Sequence, residues 1–290
     1  MRIFITGGSG FIGRHLVPLL NRHEVLCLSR AESIEKPSDA IRTIRGDLNA
    51  ANSYAAELER FKPECCIHLA WQGLPDYSFQ KCSMNLLAGI NLFEMLDRIG
   101  CSKIFVVGTC WEYGKLTGAV TEGNQGIEPN LFAAFKAALY TIGKSNCMAS
   151  GSRLIWGRVF FIYGPGQRSS SLIPACYRSL KDGVAPKIVN PLAVNDFIHV
   201  TDVVAAIHKL VEADGATGIY NIGAGRHCAV WEVVNLVAAE MGLSPVYHDM
   251  PSPTGGMWAD ITKMNLLGWL PELSLQAGIA RTPNMLEADQ

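Results

Sequence analysis

No stretch of this chain is long and apolar enough to span a bilayer, and its first residues, M-R-I-F-I-T-G-G-S-G, lack the apolar core and cleavage site of a signal peptide. Both absences predict a cytoplasmic protein that works away from membranes. Runs of Lys and Arg are also missing, and the formal net charge is only −1. Gripping a phosphate backbone needs clustered cations, so nucleic acid is not an expected partner and small ligands are. The nine cysteines, at 27, 65, 66, 82, 101, 110, 147, 176 and 228, form no C-x-x-C pair and no Cys/His spacing typical of zinc. In a reducing compartment they read as free thiols, and neither a disulfide nor a metal is expected. Internal repeats and low-complexity segments are absent as well.

What remains is a globular composition, 49% hydrophobic and 18% charged over 290 residues, enough for one large α/β domain or a cofactor domain with a smaller cap. Short apolar runs alternate with helical patterns through residue 165, the sequence form of a parallel sheet covered on both faces. Strands are predicted at Arg2–Ile5, Val25–Leu28, Ile41–Ile44, Cys65–Leu69, Lys103–Val107 and Arg153–Phe161. Helices are predicted at Phe11–Asn21, Ala50–Arg60, Asn85–Ile99 and Phe132–Met148. That order implies right-handed crossovers and a ligand crevice at the carboxyl ends of the strands. Residues 166–290 are more turn-rich, with helices at Leu172–Lys181, Val200–Glu212 and Val230–Glu240 and short strands at Val184–Val189 and Gly218–Ile222. This part is expected to be mainly a substrate-binding cap that sends segments back to the sheet.

The segment T-G-G-S-G-F-I-G, Thr6 to Gly13, joins the first strand to the first helix. Gly7 and Gly8 permit a tight turn, Gly10 lets backbone approach a pyrophosphate, and Gly13 lets the helix pack closely on the strand. Phe11 and Ile12 open the helix whose amides then face the phosphates. This is the dinucleotide-binding turn of a Rossmann-type, doubly wound parallel sheet. The second strand ends in Ser29-Arg30, where an acid would hold the ribose diol of NAD. A hydroxyl and a guanidinium suit a 2′-phosphate instead, so NADP is favoured, with NAD as the alternative. Read alone, Arg30 is also an ordinary solvated loop charge.

Further motifs follow in order: Gly46-Asp47-Leu48, His68-Leu69-Ala70, Asn85-Leu-Leu-Ala-Gly89, V-G-T-C-W-E-Y-G at 107–114, R-V-F-F-I-Y-G-P-G-Q at 158–167, N-D-F-I-H-V-T-D at 195–202, Y-N-I-G at 220–223 and D-I-T-K-M-N-L-L-G-W-L-P at 260–271. With this set the chain resembles, over nearly its whole length, the extended short-chain dehydrogenase/reductases that act as nucleotide-sugar epimerases, dehydratases and reductases. The resemblance places Asp47 and Leu48 beside the adenine, and Leu69 and Ala70 beneath the cofactor diphosphate and ribose. As plain sequence, Asp47 is a turn acid and Leu69 and Ala70 are strand core.

The same resemblance implies a Tyr-x-x-x-Lys pair assisted by a Ser or Thr at the preceding strand end. The phenol exchanges a proton with the sugar oxygen, and the lysine lowers the phenol pKa and holds the nicotinamide ribose. Four residues is about one helical turn, so both side chains share a face. Thr109 matches the hydroxyl position. Three windows could carry the pair: Tyr77-x-x-x-Lys81, Phe132-x-x-x-Lys136 and Tyr140-x-x-x-Lys144. The first precedes the Asn85 helix, on the wrong crossover. The third leaves 14 residues to Arg158, too few to finish a helix and return through a strand, whereas Lys136 leaves 22. The segment from Glu122 to Pro129 also has the family's usual lead-in. Phe132 therefore stands at the acid/base position without a proton to give, and the expected loss is about 10²–10⁴-fold, severe but not complete.

Three readings of Phe132 stay open: a Tyr→Phe change introduced to capture a complex, a member that uses another donor (Thr109, Cys110, a water or a tyrosine from the cap), or a protein that only binds nucleotide or a partner. Relatives that eliminate water carry an acidic pair where this chain has Cys110 and Trp111, with Glu112 one position too late, so a 4,6-dehydratase is not expected. Cys110 as an epimerisation donor competes with a packed, inert thiol. Together with Ser29-Arg30, the resemblance implies NADPH-dependent reduction at C4 of a nucleotide-linked 4-keto-6-deoxy sugar, with a 4-epimerase retaining NAD as runner-up. Phe161 replaces an Asn that often faces the sugar nucleotide in relatives, and Asn195 replaces a diphosphate-gripping Arg. Arg168, Arg178 or Lys187 could compensate, or be surface charge. Trp71 and Trp111, just past strand ends, wall the sugar pocket or simply pack the core. The Asn85 and Phe132 helices correspond to those that pair in family homodimers, although burial against the sheet produces a similar apolar pattern.

Overall fold

The computed structural model describes residues 1–30, 40–127, 130–253 and 255–282. Its centre is a seven-stranded sheet built from β1 (Arg2–Thr6), β2 (Glu24–Ser29), β3 (Ile41–Arg45), β4 (Cys65–His68), β5 (Lys103–Thr109), β7 (Arg153–Val159) and β11 (Gly218–Ile222), in the order β3-β2-β1-β4-β5-β7-β11. β6 (Gly118–Val120) lies outside this sheet and pairs with a later strand. From β3 through β7 every neighbouring pair is parallel. The chain starts mid-sheet, runs outward to β3, then crosses back beyond β1 to β4. That reversal is the topological switch point, where a crevice opens at the strand ends. β1, β2 and β4 are buried at almost every position, which is why they read as continuous apolar runs and not as alternating ones.

Four helices alternate with these strands: α1 (Phe11–Leu16), α2 (Ala55–Phe61), α3 (Phe79–Arg98) and α4 (Leu131–Ser150). Leu92, Phe93 and Leu96 of α3 and Leu139 and Cys147 of α4 share one core with Phe4, Leu26, Cys66, Ile104 and Trp156 of the sheet. The α3 and α4 axes approach closely because Gly143 lies under the Phe93 ring, where a Cβ would come within 2.6 Å of it. α4 is capped by Asn130, whose side chain accepts from Ala133 N, and stops at Gly151 in the left-handed region. Such a cap contributes about 1 kcal/mol and sets where Phe132 and Lys136 emerge.

The chain divides into two compact units, one of residues 1–115, 125–159 and 204–220 and the other of 116–124, 160–203 and 221–290. The second unit holds β8 (Phe161–Tyr163), α5 (Leu172–Lys181), β9 (Val194–Asn195), β10 (Phe197–His199), the start of α6 (Val200–Glu212), β12 (Cys228–Ala229), α7 (Val230–Glu240), β13 (Met257–Ala259), α8 (Thr262–Leu266) and α9 (Leu275–Ala280). Its core joins Tyr163, Ile173, Tyr177, Phe197, Val233, Val237 and Ile279. Asp196, fully buried, accepts from the amides of Ala224, Gly225 and Ala259 and so ties three segments together. Burial outweighs these bonds and pushes its carboxyl up to about 6.

Several expected elements move. α3 begins at Phe79, six residues before Asn85, because Ser78 caps it, and Phe79 and Gln80 at its start are exposed. The predicted helix Phe11–Asn21 divides into α1 and a 3-10 turn at Val17–Leu20, where Pro18 removes an amide donor. The helix predicted over Ala50–Arg60 likewise becomes a 3-10 turn at Ala51–Ser53 followed by α2. The strand predicted over Arg153–Phe161 breaks at Phe160 into β7 and β8. Val184–Val189 is not a strand: Pro186 cannot donate to a ladder, and both valines stand in solvent. Eight of the nine cysteines are buried, and desolvation raises Cys27 and Cys101 to about 12. No helix among the described residues is long and apolar enough to cross a membrane.

Candidate active site

At the end of β1, Gly7 has φ +77° and lies so close to the exit of β4 that a Cβ would come within 2.8 Å of Ala70 N. At Gly13 a Cβ would reach 2.2 Å from Gly7 O, so α1 sits directly on the turn. Gly10 N closes that turn by donating to Gly7 O at 3.0 Å. Leu69 N donates to Thr6 O at 3.0 Å, and Thr6 Oγ1 lies 2.7 Å from His68 Nδ1. Gly7, Leu69 and Ala70 are thus brought together. Burial and the Lys136 charge push His68 down to about 3, so it is neutral in the folded protein.

Ser29 is buried at the end of β2 and Arg30 is exposed beside it. Asp47 Oδ1 accepts from Asn49 N at 2.9 Å, Asn49 Nδ2 at 3.2 Å and Gln72 Nε2 at 3.0 Å, which holds its carboxyl below the usual range. Gln72 is in turn gripped at both backbone groups by Asn85, which accepts from Gln72 N at 2.6 Å and donates to Gln72 O at 2.9 Å. A chain of hydrogen bonds therefore links the β3 exit, the β4 exit and α3. Leu48, beside Asp47, is buried.

Lys136 is almost wholly buried. Its Nζ donates to Val107 O at 2.8 Å and lies 4.2 Å from the centre of the Trp71 ring and 5.9 Å from that of Phe132. Desolvation lowers it to about 7, against an upward pull from Glu112. Phe132 is one helical turn away, with Trp71 at 5.3 Å, Trp111 at 6.0 Å and Tyr77 at 5.3 Å between ring centres. The indole N–H of Trp71 is buried and has no protein partner.

Thr109, at the end of β5, caps the turn Cys110–Tyr113: its Oγ1 accepts from Trp111 N at 3.3 Å and its amide donates to Glu112 Oε1 at 2.8 Å. Glu112 points into the sheet, where it also accepts from Trp156 Nε1 at 3.0 Å and Arg158 Nε at 2.9 Å. Arg158 stacks 4.3 Å over the Tyr113 ring. Glu112 is therefore a structural anion rather than part of an acidic pair.

Residues 3–223 match the profile described as the NAD dependent epimerase/dehydratase family. The chain belongs to this family. Among its relatives, the dTDP-4-dehydro-6-deoxyglucose reductase of Escherichia coli is 24% identical over 96% of this chain and 95% of that protein. A putative UDP-glucose 4-epimerase of Methanocaldococcus jannaschii is 26% identical over 98% of each. A solved structure, MoeE5 in complex with UDP-glucuronic acid and NAD, superposes with a TM-score of 0.86, at 26% identity and full coverage of both chains. The central sheet is accordingly the Rossmann-like α/β fold of the epimerase/dehydratase family, whose members act on nucleotide sugars as reductases, epimerases or dehydratases.

Within this family frame, Phe132, Lys136, Trp71, Trp111 and Thr109 lie around one end of β5 and α4. Tyr140 instead packs on Trp156, and Lys144 is exposed. Lys81 packs on Gly73, whereas Tyr77 packs on Phe132. Phe161, Arg168 and Asn195 belong to the second unit: Phe161 packs on Phe197, Asn195 pairs with Cys228, and Arg168 is exposed. Of the lead-in before α4, Glu128 and Pro129 lie outside the described residues. Sequence reasoning set Tyr77 aside together with Lys81, and missed Gln72 and the inward role of Glu112. The Asn85 motif was the one available pointer to Gln72. It also missed a His23, His208 and Glu212 group whose donor atoms fall within 4.8 Å of one another, where His23 and Glu212 already pair at 2.9 Å.

Proposed function

We propose that this protein binds NADP and a nucleotide-linked 4-keto-6-deoxy sugar and reduces the C4 ketone, slowed by Phe132. The observation that carries the choice of cofactor, and with it a reductase over an epimerase, is the end of β2, where Ser29 and Arg30 stand in place of an acid. A carboxylate there would repel a 2′-phosphate, whereas a guanidinium attracts it. The glycine turn fits a dinucleotide, since Gly7 and Gly13 leave no room for a Cβ and keep the backbone bare. In this reading the turn from Gly7 through Gly10, Phe11, Ile12 and Gly13 takes the pyrophosphate, Asp47 and Leu48 the adenine, and Leu69 and Ala70 the diphosphate and ribose.

Lys136 would hold the nicotinamide ribose, its head fixed by Val107 O and Trp71. Bound NADPH supplies the hydride. Thr109 binds the carbonyl oxygen, and Trp71 and Trp111 wall the sugar. A homodimer through α3 and α4 is supported by exposed apolar residues on them, Phe79, Leu87, Leu131, Ile142 and Met148. A 4-epimerase that retains NAD is the second reading, favoured by the NAD-bound MoeE5 structure and the epimerase relative.

Two measurements test the choice. NADP should raise the melting temperature more than NAD, and Phe132→Tyr should raise NADPH-dependent reduction over a panel of 4-keto-6-deoxy nucleotide sugars at least tenfold. A clear NAD preference, or sugar conversion without added cofactor, decides for the epimerase. Absence of reduction over the panel by both wild type and Phe132→Tyr decides for a protein that only binds.

A further inference from the structure

Resting on that reduction reading, we propose that Tyr77 delivers to the substrate oxygen the proton that Phe132 cannot. Among the described residues, the rings in contact with Phe132 are Trp71, Trp111 and Tyr77. An indole N–H is a donor but no acid near neutrality, so Tyr77 alone of the three brings a transferable proton to this spot. Its ring also touches Trp111 at 5.6 Å, placing it on the side of Phe132 toward the Thr109 turn.

Its position is built, not incidental. Asp76 N donates to Gly73 O at 2.8 Å, Ser78 N donates to Asp76 Oδ1 at 2.9 Å, and Ser78 Oγ caps α3 by accepting from Lys81 N at 3.4 Å. Further back, Asn85 clamps Gln72 at both backbone groups. Tyr77 is thus held between two anchored residues at the mouth of α3. The ring is partly exposed, so a phenolate formed there can regain a proton from water. Competing donors are weaker: Cys110 is buried, and the Thr109 alcohol is a far weaker acid than a phenol.

The step balances without another reactant. Hydride from NADPH forms the C4–H bond as the C4–O π bond breaks, Tyr77 gives its phenolic proton to the oxygen, and water reprotonates the tyrosinate.

The test is a double-mutant cycle of wild type, Tyr77→Phe, Phe132→Tyr and the double variant, followed by NADPH oxidation with the same sugar panel. Each variant keeps the aromatic ring, so packing is preserved. Tyr77→Phe should lower kcat/KM at least tenfold in wild type but less than threefold in the Phe132→Tyr protein, where the family phenol takes over. NADP affinity should stay within twofold in Tyr77→Phe. An equal loss in both backgrounds, or wild type no faster than Tyr77→Phe, overturns the role of Tyr77 while leaving the reductase standing. If Phe132→Tyr is also inactive over the panel, the reductase reading fails and this one fails with it.

Discussion

Replacing Glu112 by Gln should cost this protein more stability than any other single charge change described here. The carboxylate is inaccessible and the Arg158 side chain 10% exposed, so the guanidinium would keep its burial and lose its counter-charge. Removing one partner of such a pair costs about 3–5 kcal/mol. Gln keeps an oxygen for Thr109 N or Trp156 Nε1, which places the loss near the lower end, about 3 kcal/mol. At about 2–4 °C per kcal/mol for a unit of this size, the midpoint should fall by roughly 6–12 °C. Urea and thermal unfolding of the cofactor-free protein measure it directly. Glu112→Gln/Arg158→Met, which removes both charges, should regain most of the loss. A drop below about 1 kcal/mol in the single variant, or a double variant no more stable than it, would refute the argument that an uncompensated buried cation is the cause.

The His68 imidazole is held neutral by burial, with a folded pKa of about 3 against about 6.5 in the unfolded chain. Between those values the unfolded state binds more protons, so stability should fall as pH drops from 6.5 toward 3, by an amount on the order of a few kcal/mol in full. Comparing urea midpoints at pH 7 and 5, wild type should lose more than His68→Asn; an equal loss contradicts this origin. For the proposed α3–α4 dimer, Leu87→Glu with Ile142→Glu should convert a dimer to a monomer by light scattering. A wild-type monomer at micromolar concentration would remove the dimer.

The dinucleotide turn was legible because its chemistry is local: a strand, glycines at fixed offsets, a helix. Leu172–Lys181, Val200–Glu212 and Val230–Glu240 were legible to the residue, since their apolar spacing is that of a helix face. The start of α3 was not. Phe79 and Gln80 are exposed and Phe79–Met84 carries little periodicity, so the cap at Ser78 outranked the apolar pattern that begins at Asn85. Val184–Val189 misled in the opposite sense, because its valines suggested a strand while Pro186 removed a ladder donor. Tyr77 shows the deeper limit. Its window was set aside as a Tyr-x-x-x-Lys pair, but a contact between a loop residue and a helix 55 positions later leaves no trace in spacing.

The distribution of thiols makes the fold its own stopwatch. Cys27, Cys65, Cys66, Cys101 and Cys147 lie within the first unit, and Cys176 lies in the core of the second. None can be alkylated while its surroundings stay closed, because a thiol must both meet the reagent and ionise. The rate at which each accepts a label therefore counts how often that part of the molecule opens, and peptide mapping would report the two units separately from one sample, without adding a single probe.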